Sequence, residues 1–294
     1  MRNNEIAEAV TSTLVSSLEA GNVPWVKPWV SLGSPVNVTT GKSYRGVNTL
    51  LLWVAQTKGN FPTSRWLTFK QAKASGGTVR KGEKGTLVIF WKFLDREDKA
   101  TGEKSKIPLC RHYTVFNVDQ CEGLPEKYTA VKEIPPVTDR NEEIDTFLAS
   151  IKADISHGGD VAGYSPTADK IVMPLPGQFS DMGGYYATLL HELVHWTGNA
   201  LRCKRHLGER FGSESYAVEE LVAEIGSAFL CARFGVQGRL QHSAYVQSWV
   251  KVLRGDKQAI FAASRLAQEA VDYLTRVLDA GSTESPEANQ EGEE

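Results

Sequence analysis

Cysteine is scarce in this sequence, and no stretch of it stays apolar for long. The 294 residues include only 4 cysteines, which lie far apart and form no Cys-x-x-Cys pair. This spacing excludes a disulfide-rich scaffold and a four-cysteine zinc ribbon, and it fits a reducing cytoplasm. No apolar run approaches the ~20 residues that cross a membrane, and polar residues interrupt the N-terminus where a signal peptide would be apolar. We therefore expect a cytoplasmic protein with no membrane partner.

Acidic residues are almost missing from one long segment near the N-terminus. Between Ala20 and Leu94 the only acidic residue is Glu83, against eleven basic residues. Residues 1–130 hold 18 basic residues (Lys and Arg) and 11 acidic residues (Asp and Glu), a charge of +7. The rest of the chain holds 15 basic and 24 acidic residues, a charge of −9. This asymmetry indicates a basic part that binds a polyanion, joined to a part with another task.

Length and composition predict two domains and an α+β fold. Apolar residues make up 41% of the chain and charged residues 23%, which is typical of a globular protein. Two prolines between Lys132 and Val137 predict a linker over residues 131–138. We expect a mixed α/β domain over 1–130 and a mainly helical domain over 139–280. Residues 281–294 are rich in glutamate and lack large apolar side chains, so we expect a disordered acidic tail.

Apolar periodicity, together with capping and helix-breaking residues, locates the secondary structure. Helices are predicted over 4–20, 47–56, 141–151, 184–198, 214–234, 240–254 and 256–279, and a short helix is predicted to begin after Thr68 and end at Gly76. Strands are predicted over 86–94, 111–118 and 169–173, with the charged segment 95–106 as the exposed tip of a hairpin.

A His-Glu-x-x-His motif, from His191 to His195, is the strongest chemical signal. Its spacing places both imidazoles on one face of a helix, where they can bind one metal ion. Glu192 lies one residue off that line, so it can act as a general base without binding the metal. The alternative is a pair of surface histidines, but the flanking residues are apolar and predict a buried helix, in which histidines need partners.

The motif leaves the third metal ligand open. A metzincin would carry a histidine at position 201, and Leu201 excludes that arrangement. His206 lies among basic residues, which suit an anion better. Glu220 and Glu224 share one face of an apolar helix, where carboxylates are costly unless they bind a metal or are paired. We predict that Glu220 is the ligand and that Glu224 accepts the other N–H of a ligand histidine, with the reverse assignment as the alternative. Glu219 is expected to face solvent.

Two histidines and one glutamate form a set that is typical of catalytic zinc. We therefore predict Zn²⁺ as the cofactor, with Mn²⁺ or another divalent ion as alternatives. With Glu192 as the base that takes a proton from water, the set predicts peptide hydrolysis. The strand over 169–173 is predicted to be a sheet edge that binds an extended peptide.

Basic and aromatic residues interleave in the N-terminal part. Cations attract phosphates, and aromatic faces stack on unpaired bases, so we predict binding of single-stranded DNA and weaker binding of duplex DNA. In the segment 80–85, glycines let the backbone approach a phosphate. At least half of the aromatic residues are expected in the core. The candidate DNA-binding residues are Trp25, Lys27, Trp29, Lys42, Tyr44, Arg45, Lys70, Arg80, Lys81 and Lys84.

Several segments of the chain resemble the ArdC-like antirestriction proteins, whose N-terminal region is shared with some plasmid primases. The matching N-terminal segments are Pro24-Trp25, Pro28-Trp29, Gly41 to Asn48, Trp66 to Ala72, Val79 to Gly85 and Val115 to Gln120. In the second half they are Asp169 to Ile171, His191 to Gly198 and Tyr216 to Glu224. The resemblance covers nearly the whole chain up to about residue 280.

This resemblance implies an N-terminal domain that binds single-stranded DNA and a C-terminal zincin-like metallopeptidase domain with Glu220 as a gluzincin-type ligand. It also implies a protein encoded on a conjugative plasmid or another mobile element, which protects incoming DNA from restriction in the bacterial cytoplasm, including that of a recipient cell. Two alternatives stay open. One is a metalloprotease effector that cleaves a host protein, and the other is a DNA-coating protein whose metal site is purely structural.

Overall fold

The structure is a computed structural model of the chain. It describes residues 3–23, 25, 33–97, 104–130, 139–205, 207, 214–237 and 246–281. The predicted linker and the predicted tail beyond Gly281 lie outside the described residues, as do Lys27, Trp29 and His206. Among the helices it describes, none is both long and apolar enough to span a membrane.

The N-terminal part combines short helices with a small mixed sheet. Its helices are α1 (Asn3–Glu19), α2 (Val47–Gly59), α3 (Phe69–Ala74) and α4 (Glu126–Thr129). Its strands are β1 (Val36–Asn37), β2 (Arg65–Thr68), β3 (Thr78–Val79), β4 (Thr86–Glu97), β5 (Lys104–Asn117) and β6 (Cys121–Glu122). The main sheet has the order β1-β2-β5-β4, in which only β1 and β2 run parallel, and β3 pairs with β6 separately.

Local sequence explains how α3 begins. The Thr68 side chain accepts a hydrogen bond from the Gln71 N–H at 3.2 Å, and the Gln71 side chain accepts one from the Thr68 N–H at 2.8 Å. These reciprocal bonds form a capping box, which satisfies two backbone donors at the helix start. The predicted capping role of Thr68 is therefore confirmed.

Strands β4 and β5 form a hairpin that is longer than the sequence predicts. Pairing continues to Glu97 opposite Lys104, so residues 95–97 and 104–106 of the predicted tip are strand, and the prediction is wrong for them. Residues 98–103 of the predicted tip lie outside the described residues. The register places Asp95 opposite Lys106 and Glu97 opposite Lys104. Backbone pairing does not require apolar side chains, so the charge of this segment does not by itself mark a turn.

The C-terminal part is mainly helical. Its helices are α5 (Glu142–Ser150), α6 (Met182–Thr197), α7 (Glu214–Phe234), α8 (Val246–Gly255) and α9 (Ala259–Gly281), and its strands are β7 (Asp154–His157), β8 (Gly163–Ser165) and β9 (Lys170–Met173). The predicted α+β fold and its helical second half are confirmed. In the small sheet, β9 lies between a parallel β7 and an antiparallel β8. Its predicted role as an edge strand that binds a peptide is wrong, because both of its edges already pair.

The two parts of the chain share one apolar core. Buried side chains of α1, such as Ile6 and Leu14, belong to the same cluster as the side chains of α6, α7 and α9. Trp53 of α2 packs against Phe229 of α7, with ring centroids 5.8 Å apart. The Thr11 hydroxyl donates to the carbonyl of residue 257 at 2.9 Å, which also joins α1 to the C-terminal part. The predicted domain boundary stays a prediction, and the residues on its two sides contribute to the same cluster.

Candidate metal centre and basic surface

Helix α6 carries the His-Glu-x-x-His motif through the core of the C-terminal part. Asp181 caps the helix by accepting a hydrogen bond from the Gly184 N–H at 2.7 Å. Leu190 and Val194 are fully buried, as the apolar flanks predict. His191 is only 4% exposed, so its polar atoms depend on partners within the protein.

Helix α7 brings a carboxylate to the two imidazoles. The Glu220 Oε1 atom lies 3.5 Å from His195 Nε2, and its Oε2 atom lies 3.6 Å from His191 Nε2. The two Nε2 atoms are 3.1 Å apart. A tetrahedral zinc ion with ligand bonds of about 2.0–2.1 Å holds its ligand atoms about 3.3 Å apart, so this triangle has the size that such an ion needs. The structure thus brings together the three ligands that the sequence predicts.

The carboxylates of the site favour a positive charge within it. Burial alone would lower the pKa of His191, but the hydrogen bond to Glu220 and the charges of Glu224 and Glu192 outweigh burial and raise that pKa to about 9. Burial alone would raise the pKa of the Glu220 carboxyl, but the two imidazoles outweigh burial and lower that pKa. A site that stabilises a proton so strongly also favours a divalent cation, which displaces that proton on binding.

Glu224 lies on the other side of His191. Its Oε1 atom is 3.8 Å from His191 Nδ1, whereas Glu220 faces Nε2 of the same ring. Burial raises the pKa of the Glu224 carboxyl to about 7. The geometry therefore favours Glu220 as the direct ligand and places Glu224 behind the histidine, although 3.8 Å exceeds hydrogen-bond length.

Glu219 does not face solvent, so that prediction is wrong. Its side chain is 12% exposed, and its Oε1 atom lies 3.1 Å from His195 Nδ1. Arg205 binds both oxygens of Glu219, from Nε and from Nη2, each at 2.9 Å. A carboxylate on the outer nitrogen of a metal-binding histidine fixes the ring's tautomer and orientation. Glu219 is therefore a candidate site residue that the sequence did not reveal.

Arg205 holds this carboxylate from a buried position. Its side chain is 3% exposed, and it also donates to the Thr197 hydroxyl at 2.9 Å and to the Val194 carbonyl at 2.6 Å. Those two groups belong to the last turn of α6. One guanidinium thus joins the end of the motif helix to the residue on α7 that orients His195.

Replacing Glu219 with Gln should weaken divalent-metal affinity about 10- to 100-fold, because losing the carboxylate that binds the outer nitrogen of a ligand histidine typically has that effect. Titration of the metal-free protein with Mn²⁺ or Zn²⁺ against a competing chelator measures this. The control is Glu269→Gln, which removes an exposed carboxylate that pairs with Arg265 on α9. Equal metal affinity in Glu219→Gln and the wild type would contradict the role assigned to Glu219.

Two of the predicted DNA-binding residues are engaged within the protein. Trp25 is 3% exposed and packs edge-on against Trp249, with ring centroids 5.6 Å apart. The prediction that Trp25 contacts DNA is therefore wrong, since its ring has no open face. Arg45 forms an ion pair with Asp272 of α9, so its charge is balanced within the protein.

The basic loop at residues 80–85 is held in one shape by Gln120. The Gln120 side chain donates to Glu83 Oε2 and to the Lys84 carbonyl, each at 2.9 Å. Arg80 pairs with Glu83 Oε1 at 2.8 Å. Arg80 and Gln120 both lower the pKa of the Glu83 carboxyl, which therefore stays charged. Arg80 thus pairs with the only acidic residue of this segment, and its contact with DNA stays a prediction.

The two glycines of this loop, Gly82 and Gly85, lie in different surroundings. Gly82 has φ +90°, and a Cβ atom built there would meet nothing within 4 Å, so its backbone stays open to a ligand. A Cβ atom at Gly85 would lie 2.2 Å from the Thr114 side chain and 2.9 Å from the Phe116 ring. Gly85 therefore permits close packing against β5, and only Gly82 fits the predicted approach to a phosphate.

The remaining predicted cations of the described residues are open to solvent. Lys42, Lys70, Lys81 and Lys84 are exposed. Tyr44 is half-buried, and burial raises the pKa of its hydroxyl, which keeps it neutral. These four lysines are therefore accessible to a ligand, and their contact with DNA stays a prediction.

Two known protein families match two separate segments of the chain. Residues 4–116 match the N-terminal domain of the anti-restriction factor ArdC, and residues 142–266 match a zincin-like metallopeptidase family. The uncharacterised protein y4eC of Sinorhizobium fredii is 41% identical over 285 residues, which cover 92% of this chain and 91% of that protein. A DNA primase TraC of Escherichia coli is also 41% identical, but the match covers 91% of this chain and only 20% of the primase.

Solved structures show the same architecture. The crystal structure of the metal-free antirestriction protein ArdC from plasmid R388 superposes with a TM-score of 0.81 at 43% identity, covering 93% of this chain and 98% of that one. Its Mn(II)-bound structure gives a TM-score of 0.78 at 41% identity, covering 92% and 97%. With the triangle of His191, His195 and Glu220, these matches indicate a divalent-metal site. The chain therefore belongs to the ArdC family of antirestriction proteins, and its C-terminal part is a zincin-like metallopeptidase domain.

Proposed function

We propose that this protein protects incoming DNA from restriction by binding it as a single strand through the N-terminal part. The observation that carries the proposal is the loop at residues 80–85. Its one carboxylate is engaged by Arg80 and Gln120, while Lys81 and Lys84 point into solvent beside the open backbone of Gly82. Exposed cations beside an open backbone form a surface suited to phosphates.

The charge distribution supports the same function. A part that carries +7 attracts DNA, while the rest of the chain, at −9, does not. The TraC proteins that resemble this chain are DNA primases, and the match covers 20% and 27% of their length. Binding of single strands is favoured over duplex because exposed aromatic side chains accompany the lysines, and unpaired bases can stack on them. Duplex DNA is expected to bind more weakly.

We further propose that His191, His195 and Glu220 hold Zn²⁺, with Mn²⁺ as an alternative ion in the same ligand set. When bound, the ion supplies Lewis acidity, which polarises a carbonyl group and acidifies water. Glu192 is the base: it takes a proton from water and delivers it to the leaving amine. It is buried and close enough to His191 to raise the pKa of that ring.

A second candidate function is cleavage of a host protein. The observation that favours it is the network of Arg205, Glu219 and His195. This network fixes the orientation of the metal-binding imidazole of His195, as a catalytic site requires. A purely structural metal would need no base at Glu192. Nothing in the described residues identifies a cleavable partner, so DNA binding is the preferred route to protection.

Replacing both Lys81 and Lys84 with Gln should weaken binding of single-stranded DNA and reduce the salt dependence of the affinity. Each lost phosphate contact removes about 0.7 from the slope of log affinity against log salt for a single strand. Fluorescence anisotropy of a labelled oligothymidine with the full chain measures both quantities between low and physiological salt.

The matched control replaces Lys152 and Lys204, two exposed lysines of the C-terminal part, with Gln. It removes the same charge from the protein, so it separates a local contact from a general effect of net charge. An equal loss of affinity in both double variants would contradict the loop as the binding site. Wild-type protein that binds duplex more tightly than a single strand would contradict the proposed ligand.

A further inference from the structure

Two large aromatic rings lie exposed on the hairpin of β4 and β5. Phe90 is 48% exposed and Tyr113 is 45% exposed, and their rings meet edge to face with centroids 5.4 Å apart. The strand register places Arg111 directly opposite Phe90, and Tyr113 opposite Val88. Because side chains two residues apart lie on the same face of a strand, Phe90, Arg111 and Tyr113 share one face of the hairpin.

This face continues directly from the core of the N-terminal part. Val88 and Val115, which lie on the same face, are buried in one cluster with Leu52 of α2 and Trp66 of β2. This burial ends before Phe90, which is half exposed. The exposed rings therefore stand on strands whose inner ends are fixed by packing.

A buried amide fixes the backbone next to Phe90. The Asn48 Nδ2 atom donates to the Ile89 carbonyl at 2.7 Å, and its Oδ1 atom accepts from the Ile89 N–H at 2.8 Å. These bonds bind the outer edge of β4 to α2. A stacking surface that is held rigid in this way loses little entropy when a ligand binds.

The positive charge near the two rings favours an anionic ligand. Arg111 is exposed, and Glu83, the only acidic residue between Ala20 and Leu94, is engaged by Arg80 and Gln120. Lys84 precedes Phe90 by six residues, which is about 20 Å along a strand, a span that several nucleotides can cover. A purely apolar partner would gain nothing from these cations.

We propose that Phe90, Tyr113 and Arg111 form a platform on which bases of single-stranded DNA stack, while the lysines of the loop at residues 80–85 hold the phosphates. This inference rests on the proposed function, and it adds the place where the bases bind. The rings offer sequence-tolerant stacking, and the planar guanidinium of Arg111 can stack on a base or pair with a phosphate.

The test measures the affinity of the full chain for a labelled oligothymidine by fluorescence anisotropy. Phe90→Leu and Tyr113→Leu keep an apolar side chain but remove the ring, and each should weaken binding about 10-fold, since stacking on one base contributes about that much. Phe90→Tyr and Tyr113→Phe keep the ring and should bind within about twofold of the wild type. Leu201→Ala, which truncates an exposed side chain of the other part, is the control.

A second measurement does not depend on the stability of any variant. An oligonucleotide that carries 5-iododeoxyuridine should, on irradiation, crosslink to Phe90 or Tyr113 in the wild-type protein, as identified by mass spectrometry of the peptides. Crosslinks confined to other residues would overturn the platform.

The outcomes separate this inference from the proposed function. Wild-type protein that binds single-stranded DNA with the same affinity as both Leu variants overturns the platform and leaves the DNA-binding function intact. If the wild-type protein does not bind single-stranded DNA, both the platform and the proposed DNA-binding function are overturned. Single-stranded DNA would be overturned as the ligand of these rings if the protein bound RNA of the same sequence more tightly. It would also be overturned if the two Leu variants lost affinity for duplex DNA.

Discussion

Replacing His191 with Ala should abolish stoichiometric binding of divalent metal. The substitution removes one of the three ligand atoms of the triangle and leaves Glu220 and His195 alone, which is too few for a closed site. The expected loss of affinity exceeds the roughly 10- to 100-fold loss caused by changing a residue that only hydrogen-bonds a ligand. Equilibrium dialysis against Zn²⁺ or Mn²⁺, followed by metal analysis, measures the bound ion per chain.

The matched control for this prediction is His157→Ala. His157 lies at the end of β7 and pairs with the Tyr185 hydroxyl at 2.9 Å, so the control removes an imidazole outside the ligand triangle. It should retain one metal ion per chain. Full metal content in His191→Ala, with the fold verified by circular dichroism, would contradict the ligand assignment.

Replacing Glu192 with Gln should remove peptide hydrolysis while leaving metal content and DNA affinity nearly unchanged. The amide has the same shape but cannot take a proton from water, and loss of a general base typically lowers the rate about 10²- to 10⁴-fold. Helix α6 owes its packing to apolar neighbours such as Leu190 and Val194, so the fold should persist. Mass spectrometry of a peptide library incubated with the Zn²⁺- or Mn²⁺-loaded protein detects cleavage.

The control is Glu143→Gln, which makes the same chemical change at an exposed position of α5. It should cleave the library as the wild type does. Cleavage by Glu192→Gln at the wild-type rate would show that another group acts as the base.

The metal centre could be predicted from the sequence because its signals are local. The spacing of His191 and His195 sets them on one helical face, and Glu220 lies in a second helix whose apolar residues make a carboxylate conspicuous. The capping box of Thr68 and Gln71 is local in the same sense. The two histidines lie about one helical turn apart, as do Thr68 and Gln71, whereas Glu220 stands out from the composition of its own helix.

The predictions that failed depend on contacts between distant segments. Glu219 is buried because Arg205, which comes from the loop after α6, reaches it across fourteen residues of sequence. Strand β9 is central because it pairs with β7 on one side and β8 on the other, and a short apolar segment does not reveal how many neighbours a strand has. Composition could not distinguish Trp25, which packs against Trp249 of α8, from the exposed ring of Phe90.

The central claim is that protection comes from binding DNA and not from the peptidase site. The most direct test is the efficiency with which unmodified plasmid DNA establishes itself in a restricting recipient cell that expresses each form of the protein. We predict that Glu192→Gln protects as well as the wild type, whereas the double change of Lys81 and Lys84 to Gln protects poorly. Protection that is lost in Glu192→Gln, with normal folding, metal content and DNA affinity, and kept in the lysine variant would contradict the account and make the metal centre the effector.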